Sequence, residues 1–202
     1  MCKKEDYEKP SLESLFKDFD HPNPNINKNA YVNMQRYWPE ESMDILLKRL
    51  DDDDLLIRRK VVKALGFYGK EVLHPLVVIY RQAKNKNVLV SCMKTFVRVA
   101  INAKNLPFPK EAIKVIELSL NEEIPELILT VIPLLKLLGE QGLPILLDCA
   151  RDENLLKSSA AIMALGEMEA QLVEEPLQAL FLEKNLDPIV RSCLNVSLEN
   201  LK

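Results

Sequence analysis

The sequence predicts an all-helical protein in which about six similar helix pairs stack side by side as a solenoid. The first observation is a landmark, Ala64-Leu65-Gly66, which recurs as Ala164-Leu165-Gly166 and more loosely as Leu137-Leu138-Gly139. The second is a spacing of apolar residues by three or four positions, which is typical of amphipathic helices. The third is the composition. Aromatic residues make up only 6% of the 202 residues, so Leu, Ile, Val and Ala must form the core, which favours helix-on-helix packing.

The period of the repeat follows when Leu65 is taken as the reference residue of its unit. The gaps between equivalent residues are 31, 32, 41, 27 and 33 positions, and the long gap holds residues 105–109, whose two prolines predict a loop insertion. A period of about 32 residues predicts a repeat array, because a compact bundle has no need of one. The equivalents of Leu65 are the apolar residues Met34, Val97, Leu138, Leu165 and Leu198.

Each repeat is predicted to contain a helix A, a polar turn and a helix B. Pro75, Pro144 and Pro176 lie 21 or 22 residues before a reference residue and predict the starts of A helices. Pro133 is expected inside the fourth B helix, where it should bend the helix. The Asn and Asp residues of the turns are expected to cap the B helices. These turns span residues 21–25, 51–54, 85–87, 121–123, 152–154 and 184–187.

The chain is predicted to form one domain over residues 11–202, preceded by a flexible segment over residues 1–10. The charged amino terminus lacks the apolar stretch of a secretory signal, and the most apolar run, residues 128–138, is too short to cross a bilayer. The four cysteines form no Cys-x-x-Cys pair, which predicts neither a disulfide framework nor a zinc site. We therefore expect a cytoplasmic protein without a transmembrane segment.

A family resemblance lies in the second repeat, in Asp54, Leu56-Ile57-Arg58, Val61-Val62, Ala64-Leu65-Gly66 and Gly69. Asp187-Pro188, Ile189-Val190-Arg191 and Leu194 repeat part of this pattern. These residues resemble the HEAT-repeat signature, in the variant called the phycobilisome (PBS) lyase HEAT-like repeat of cyanobacterial type. The resemblance implies a right-handed α–α superhelix, a HEAT-like solenoid of about six helix-pair repeats, with the B helices lining its concave surface.

The same resemblance implies several activities. Members of this group attach or detach bilin chromophores on phycobiliproteins, take part in phycobilisome degradation, or serve as adaptors, and the lyase members act in pairs. Related solenoids that hydroxylate a lysine derivative carry repeated His-Glu iron ligands. Here His21 and His74 are the only histidines and neither precedes Glu, which disfavours that activity.

The sequence shows no set of residues that would form a catalytic centre. His21 and His74 are isolated, and capping or exposure is the simpler role. The run 51–54 lacks the EF-hand spacing and indicates a turn with an N-cap. Cys92 and Cys193 fall on B helices, either as small buried hydrophobes or as thiols able to form a thioether if their pKa is lowered. We predict no catalytic residue, no metal and no cofactor, except for a bilin if the chain is a lyase.

The candidate binding surface is the outward face of the B helices. The net charge of -3 divides into +4 over residues 1–101 and -7 over residues 102–202, and the face runs from basic through small and weakly apolar to mildly acidic. Such a face suits an acidic helical surface of another protein, or its charges serve only solvation. The predicted partner-binding residues are Lys28, Arg36, Tyr37, Arg59, Lys60, Lys63, Phe67, Thr95 and Arg98.

Two functions from different classes stay open. The first is a protein-binding scaffold, adaptor or assembly factor linked to phycobiliprotein or photosynthetic-complex biology. The second is a bilin lyase-type enzyme, or one subunit of a heterodimeric lyase, and it rests on the resemblance alone. Hetero-oligomers fit either hypothesis. Nucleic-acid binding is disfavoured, because phosphate contacts over several repeats need cations along the whole groove.

Overall fold

The computed structural model describes residues 9–122 and 124–201, and this part of the chain is helical without any strand. Its twelve α-helices form six consecutive hairpins, so the predicted all-helical solenoid is confirmed. Odd-numbered helices are the A helices and even-numbered ones the B helices. They are α1 (Leu12–Phe19), α2 (Pro24–Tyr37), α3 (Pro39–Lys48), α4 (Leu55–Leu65), α5 (Leu73–Gln82), α6 (Lys86–Asn102), α7 (Lys110–Leu118), α8 (Pro125–Leu137), α9 (Leu143–Cys149), α10 (Leu155–Leu165), α11 (Ala170–Phe181) and α12 (Pro188–Asn200).

Side-chain caps set the start of nearly every B helix, as the polar turns predicted. In five of the six repeats an Asn or Asp at the N-cap accepts a hydrogen bond from the backbone N–H two residues later. Each such cap satisfies a backbone donor that has no partner inside the helix, and is worth about 1 kcal/mol. The five caps are Asn23, Asp54, Asn85, Asn154 and Asp187.

The positions of these caps correct the predicted repeat register in two places. Asn23, Asp54 and Asn85 follow one another at intervals of 31 residues. Counted from its cap, the residue that matches Leu65 in α6 is Phe96, which is fully buried, and not the partly exposed Val97. In α8, whose N-cap is Ile124, the match is Leu135 and not Leu138. The error matters because a shift of one residue changes the direction of a side chain around the helix axis by about 100°.

Two prolines sit inside helices. Pro75 and Pro144 lie in the first turns of α5 and α9, as predicted, but Pro176 is the seventh residue of α11, so its assignment to a helix start was wrong. The first half of α11 already buries Val173, which favours helix there despite the backbone hydrogen bond that Pro176 cannot donate. Pro133 lies inside α8, as predicted.

The core consists of B helices packed on one another in chain order. Contacts join α2 to α4, α4 to α6, α6 to α8, α8 to α10 and α10 to α12. Gly66 and Gly166 allow this close approach. A Cβ atom on Gly66 would lie 2.6 Å from Cβ of Arg98, and one on Gly166 would lie 2.5 Å from Cβ of Ser197. The fold therefore holds one continuous core instead of six separate ones.

The predicted loop insertion is confirmed between α6 and α7. Its residue Phe108 is held by both its side chain and its backbone. Phe108 is buried with its ring 5.9 Å from that of Phe96. Its backbone N–H donates to Oε1 of Gln141 at 2.9 Å, and its carbonyl accepts from Nε2 at 3.0 Å. The insertion thus packs as part of the core and does not enter the B-helix face.

Residues 1–8 of the predicted flexible segment lie outside the described residues. Its last two residues contact Trp38: Nζ of Lys9 is 3.5 Å from the ring centroid, and the carbonyl of Pro10 accepts from Nε1 at 2.9 Å. The rest of Trp38 packs against the core of the first two repeats. None of the described helices is long and apolar enough to cross a membrane.

The close contact between Gly142 and the backbone of Leu135 leads to a testable prediction. A Cβ atom there would lie 2.0 Å from the carbonyl oxygen of Leu135, so Gly142→Ala must displace backbone and should lower the free energy of unfolding by about 3 kcal/mol. The nearby Gly139 has φ of 56° and open space around it, so Gly139→Ala should cost only about 1 to 2 kcal/mol. Urea denaturation of both variants measures the difference, and equal losses would contradict the packing.

Candidate functional site

The positions of the N-caps determine which residues lie on the outward face of each B helix. The fifth, ninth and thirteenth residues after each N-cap lie on one side of the helix, because residues four apart share a face. Nearly all of them are at least partly exposed. They are Lys28, Val32 and Arg36 in α2; Arg59, Lys63 and Phe67 in α4; Val90, Lys94 and Arg98 in α6; Leu129, Pro133 and Leu137 in α8; Ser159, Met163 and Glu167 in α10; and Ser192, Val196 and Asn200 in α12.

A groove of about 680 Å³ crosses this face where α4, α6 and α8 lie side by side. Apolar residues line much of it, including Val62 and Val90 on its floor and Leu129 at its far edge. Arg59 and Lys63 stand at the near edge. We call this cavity the B-helix groove. Its lining comes from three successive B helices, so a ligand in it would touch several repeats at once.

A second cavity of about 240 Å³ adjoins the groove on the side of the first repeat. We call it the basic pocket, because Lys28, Lys63 and Arg98 line it together with the rings of Tyr31 and Phe67. Lys63 and Arg98 belong to both cavities and separate them. The two cavities therefore form one site with a charged end and an apolar end.

Ion pairs between repeats neutralise some of the cations on this face. Nζ of Lys94 lies 2.8 Å from Oε1 of Glu126, and this hydrogen bond holds the pKa of the Glu126 carboxyl below its usual range. Lys136 pairs with Glu167 in the same way from α8 to α10. Exposed pairs of this kind contribute at most about 1 kcal/mol each to stability. Their larger effect is to remove positive charge from the third and later repeats.

The cations of the charged end have no such partner. Within residues 9–122 and 124–201, no carboxylate lies within 4.0 Å of Lys28, Arg59, Lys63 or Arg98. By contrast, the Arg58 guanidinium donates to the carbonyls of the preceding turn. The unpaired cations are thus available to an anionic ligand.

Five of the nine predicted binding residues come together at this site, namely Lys28, Arg59, Lys63, Phe67 and Arg98. Arg36 and Tyr37 lie farther along α2, outside both cavities, with the guanidinium of Arg36 6.0 Å from the Tyr37 ring centroid. Their role in binding stays a prediction.

Two predicted residues are placed elsewhere. Thr95 is fully buried and donates its hydroxyl to the carbonyl of Ser91 at 2.8 Å, so its assignment to the binding surface was wrong. The error is the one-residue register shift in α6, which exchanges Thr95 for Lys94. Lys60 reaches over the first repeat, where its Nζ lies 3.1 Å from the carbonyl and 3.5 Å from Oδ1 of Asp20.

The apolar residues that α8 contributes to the site were not predicted from the sequence. Leu129 and Leu137 are 56% and 47% exposed on α8, and Met163 is 37% exposed on α10. The register of α8 was misplaced by three residues, so its outward residues were not recognised. Pro125 carried the missing signal, because a proline after an insertion and a polar turn marks the first residue of a helix.

The described residues contain no evident catalytic centre. No group of three or more potential metal ligands occurs among them. His21 accepts a hydrogen bond from the backbone N–H of Asn23 at 3.0 Å, in agreement with its predicted capping role. Burial raises the pKa of the Cys92 thiol to about 12 and that of Cys149 to about 11. Thiols held in the protonated form are poor nucleophiles.

Cysteine reactivity provides a direct measurement of this burial. We expect Cys92 and Cys149 to resist iodoacetamide at mildly alkaline pH in the native protein, and to react rapidly in guanidinium chloride. For Cys92 the pKa of about 12 against 9.0 lowers the thiolate fraction on the order of 10³-fold. Peptide mass spectrometry reads each cysteine separately. If Cys92 were alkylated in the folded protein as fast as in the unfolded chain, its thiol would be accessible to solvent and the burial would be contradicted.

No protein-family model matches the chain. Two solved structures of low similarity are a designed armadillo repeat protein in complex with the peptide (KR)4 and human deoxyhypusine hydroxylase in complex with glycerol. The first is 15% identical with a TM-score of 0.43, covering 96% of this chain and 100% of that one. The second is 16% identical with a TM-score of 0.40, covering 93% and 83%.

Two sequence relatives extend over most of the chain. The bilin biosynthesis protein CpeZ of Synechococcus sp. (strain WH8020) is 29% identical over 176 residues, which cover 84% of this chain and 95% of that protein. The uncharacterized phycocyanin operon protein Z of Pseudanabaena tenuis (strain PCC 7409) is 27% identical over 175 residues, covering 87% and 72%. The predicted resemblance is thereby confirmed: this helical-repeat chain has homologues named for bilin biosynthesis and for the phycocyanin operon.

Proposed function

We propose that the chain is a protein-binding assembly factor of phycobiliprotein biology, and that it holds its partner in the B-helix groove and the basic pocket. The names of the two relatives support the biological setting. In this proposal the chain works in the cytoplasm, needs no cofactor of its own and forms a hetero-oligomer with the protein that it holds.

One observation carries the proposal. Unpaired cations and exposed apolar side chains share a single face that spans adjacent repeats. A protein surface supplies acidic and apolar groups together, and apolar burial adds affinity while the charges orient the partner. Nucleic acid fits less well, because a phosphate backbone needs cations along the whole groove. On this face the outward cations end at Arg98. The outward residues of the next B helix, α8, are Leu129, Pro133 and Leu137.

Charge reversal at the groove tests this function. Arg59→Glu combined with Lys63→Glu should reduce retention of purified phycobiliprotein subunits on the immobilised chain by at least about tenfold, because two attractions become repulsions. The matched control is Lys110→Glu with Lys114→Glu on α7, which changes the net charge equally on an exposed A helix. Pull-down with quantitative immunoblotting measures both, and circular dichroism checks folding. Equal retention by both double variants would rule out the groove.

A second candidate is a bilin lyase-type activity, by this chain alone or as one subunit of a pair. The name of the first relative favours it, and so does the groove. A bilin is an elongated apolar molecule with carboxylate side chains, which suits an apolar floor with cations at one end. The buried thiols of Cys92 and Cys149 make poor attachment sites. Cys193 is only partly buried, but it lies on α12, outside the B-helix groove. A bilin held in the groove would therefore be presented to a cysteine of the acceptor protein.

Incubation with phycocyanobilin and an apo-phycobiliprotein separates the two candidates. A lyase should accelerate site-selective attachment to the acceptor, seen as a mass increase of the acceptor chain and a shift of bilin absorbance. Arg59→Glu with Lys63→Glu should slow the reaction if the groove holds the bilin carboxylates. A chain that neither binds the bilin nor changes the attachment rate is not a lyase, and only the assembly function would stand.

A further inference from the structure

The apolar end of the outward face is an exposed strip that nothing in the described chain covers. We define the apolar strip as Leu129, Pro133 and Leu137 on α8 with Met163 on α10. Leu129 alone is 56% exposed, and α8 packs directly on α10, so the strip continues from one helix onto the next. A contiguous exposed patch of this kind in a water-facing protein marks an interaction site. A partner that removes these apolar side chains from water lowers the free energy of the system.

The opposite end of the same face is positively charged. We define the basic cluster as Lys28, Lys63 and Arg98, which line the basic pocket from three successive B helices. Lys94 and Lys136, which lie toward the apolar strip, are paired with Glu126 and Glu167. The face is thus divided into a cationic end and a neutral apolar end. A ligand that matches it must carry negative charge at one end and apolar surface along the rest.

The distance between the two ends limits the size of that ligand. From Lys63 of the basic cluster, on α4, to Met163 on α10 the face crosses four neighbouring B helices. Neighbouring helices pack about 9 Å apart, so three steps cover about 27 Å. An α-helix of about 18 residues has this length, whereas an extended strand would need only about 8 residues.

The polarity of the groove favours a helical occupant. An extended segment carries unpaired backbone N–H and C=O groups, which a binding groove must satisfy. Among the described residues that line the B-helix groove, few side chains can accept a hydrogen bond from a backbone N–H: Asn87, Ser91, Thr130 and Glu126, the last already paired with Lys94. The other polar side chains of the lining are cations, which only donate, and the floor includes Val62, Val90 and Val97. A helix satisfies its own backbone and presents only side chains. An apolar floor with charges at one end therefore matches an amphipathic helix.

We infer that this face binds one amphipathic α-helix of the partner protein, with carboxylates at one end of that helix on the basic cluster and its apolar side on the apolar strip. The inference rests on the proposed protein-binding function and specifies the chemistry of the bound segment. Burial of Leu129, Leu137 and Met163 supplies affinity, and Lys63 and Arg98 determine which end of the helix lies at α4.

Designed peptides of about 18 residues test the inference on the full chain. The first peptide carries leucines at helical spacing and glutamates clustered at one end. The second replaces those glutamates by lysines, and the third places prolines in the middle of the first. By fluorescence anisotropy we expect the first to bind, the second to bind at least about tenfold more weakly, and the third to lose binding because it cannot form the helix. Binding by the third peptide as tight as by the first would overturn the helical inference.

Variants of the chain test the two ends of the face. Lys63→Glu with Arg98→Glu should reverse the preference between the first and second peptides. Leu129→Asp should weaken the first peptide by at least about tenfold, because it places a charge under the apolar side of the helix. Leu182→Asp is the matched control, since Leu182 is 80% exposed in the α11–α12 connection. An unchanged affinity in Leu129→Asp, or no binding of any peptide to the wild-type chain, would also overturn the inference.

The same variants distinguish this inference from the broader function. If Leu129→Asp leaves retention of a phycobiliprotein subunit unchanged while Arg59→Glu with Lys63→Glu abolishes it, the helix inference is wrong and the protein-binding function stands. If neither the subunit nor the peptides bind the wild-type chain, both are wrong. If Leu129→Asp loses both peptide binding and subunit retention, the helix inference and the protein-binding function are both supported.

Discussion

The stacking of each B helix on the next is the constraint on which the rest of this structure depends. A single hairpin exposes its apolar stripe on both sides, so it becomes stable only when neighbours cover that stripe. Fully buried side chains on successive B helices, such as Leu65, Phe96 and Leu135, show how each repeat completes the core of the one before. Gly66 and Gly166 sit where two B helices come too close for a side chain. The chain therefore has one core, spread along its length.

This stacking also determines the binding surface. Once the inward and lateral faces of a B helix are committed to its neighbours, the fifth, ninth and thirteenth positions after its cap form its outward face. Successive repeats bring these outward positions side by side, so residues far apart in sequence, such as Lys28 and Arg98, come to line one pocket. The inter-repeat pairs Lys94–Glu126 and Lys136–Glu167 then neutralise part of the surface. The division into a cationic end and an apolar end results from both effects.

The two candidate functions use the same physical features. An acidic amphipathic helix and a bilin with its carboxylates both join an apolar body to negative charge, and both suit a groove with Arg59 and Lys63 at one edge. The two functions differ in whether the chain promotes formation of a bond to the bilin. Cys92 and Cys149 are buried and kept protonated, and no cluster of metal ligands is present among the described residues. Cys193, on α12, is only partly buried and does not line the B-helix groove.

Local and periodic features of this protein were determined by the sequence itself. Apolar spacing, the polar turns and the insertion at 105–109 depend on neighbours within a few residues, and they were predicted correctly, except that no Asn or Asp caps α8. The basic residues of the second repeat were also recognisable, because Asp54 and the α4 pattern define their register without outside help. The relation of the chain to phycobilisome-related proteins followed from the same repeat.

Only the tertiary structure decided the register of α6 and α8, and with it the apolar end of the site. A near-constant period tolerates shifts of one to three residues, but each residue turns a side chain by about 100°. Thr95 was therefore assigned to the surface although it is buried, and Leu129 and Leu137 were overlooked although they are exposed. Whether Lys94 and Lys60 carry free charge depended on carboxylates from other repeats, Glu126 and Asp20, which no local pattern could place beside them.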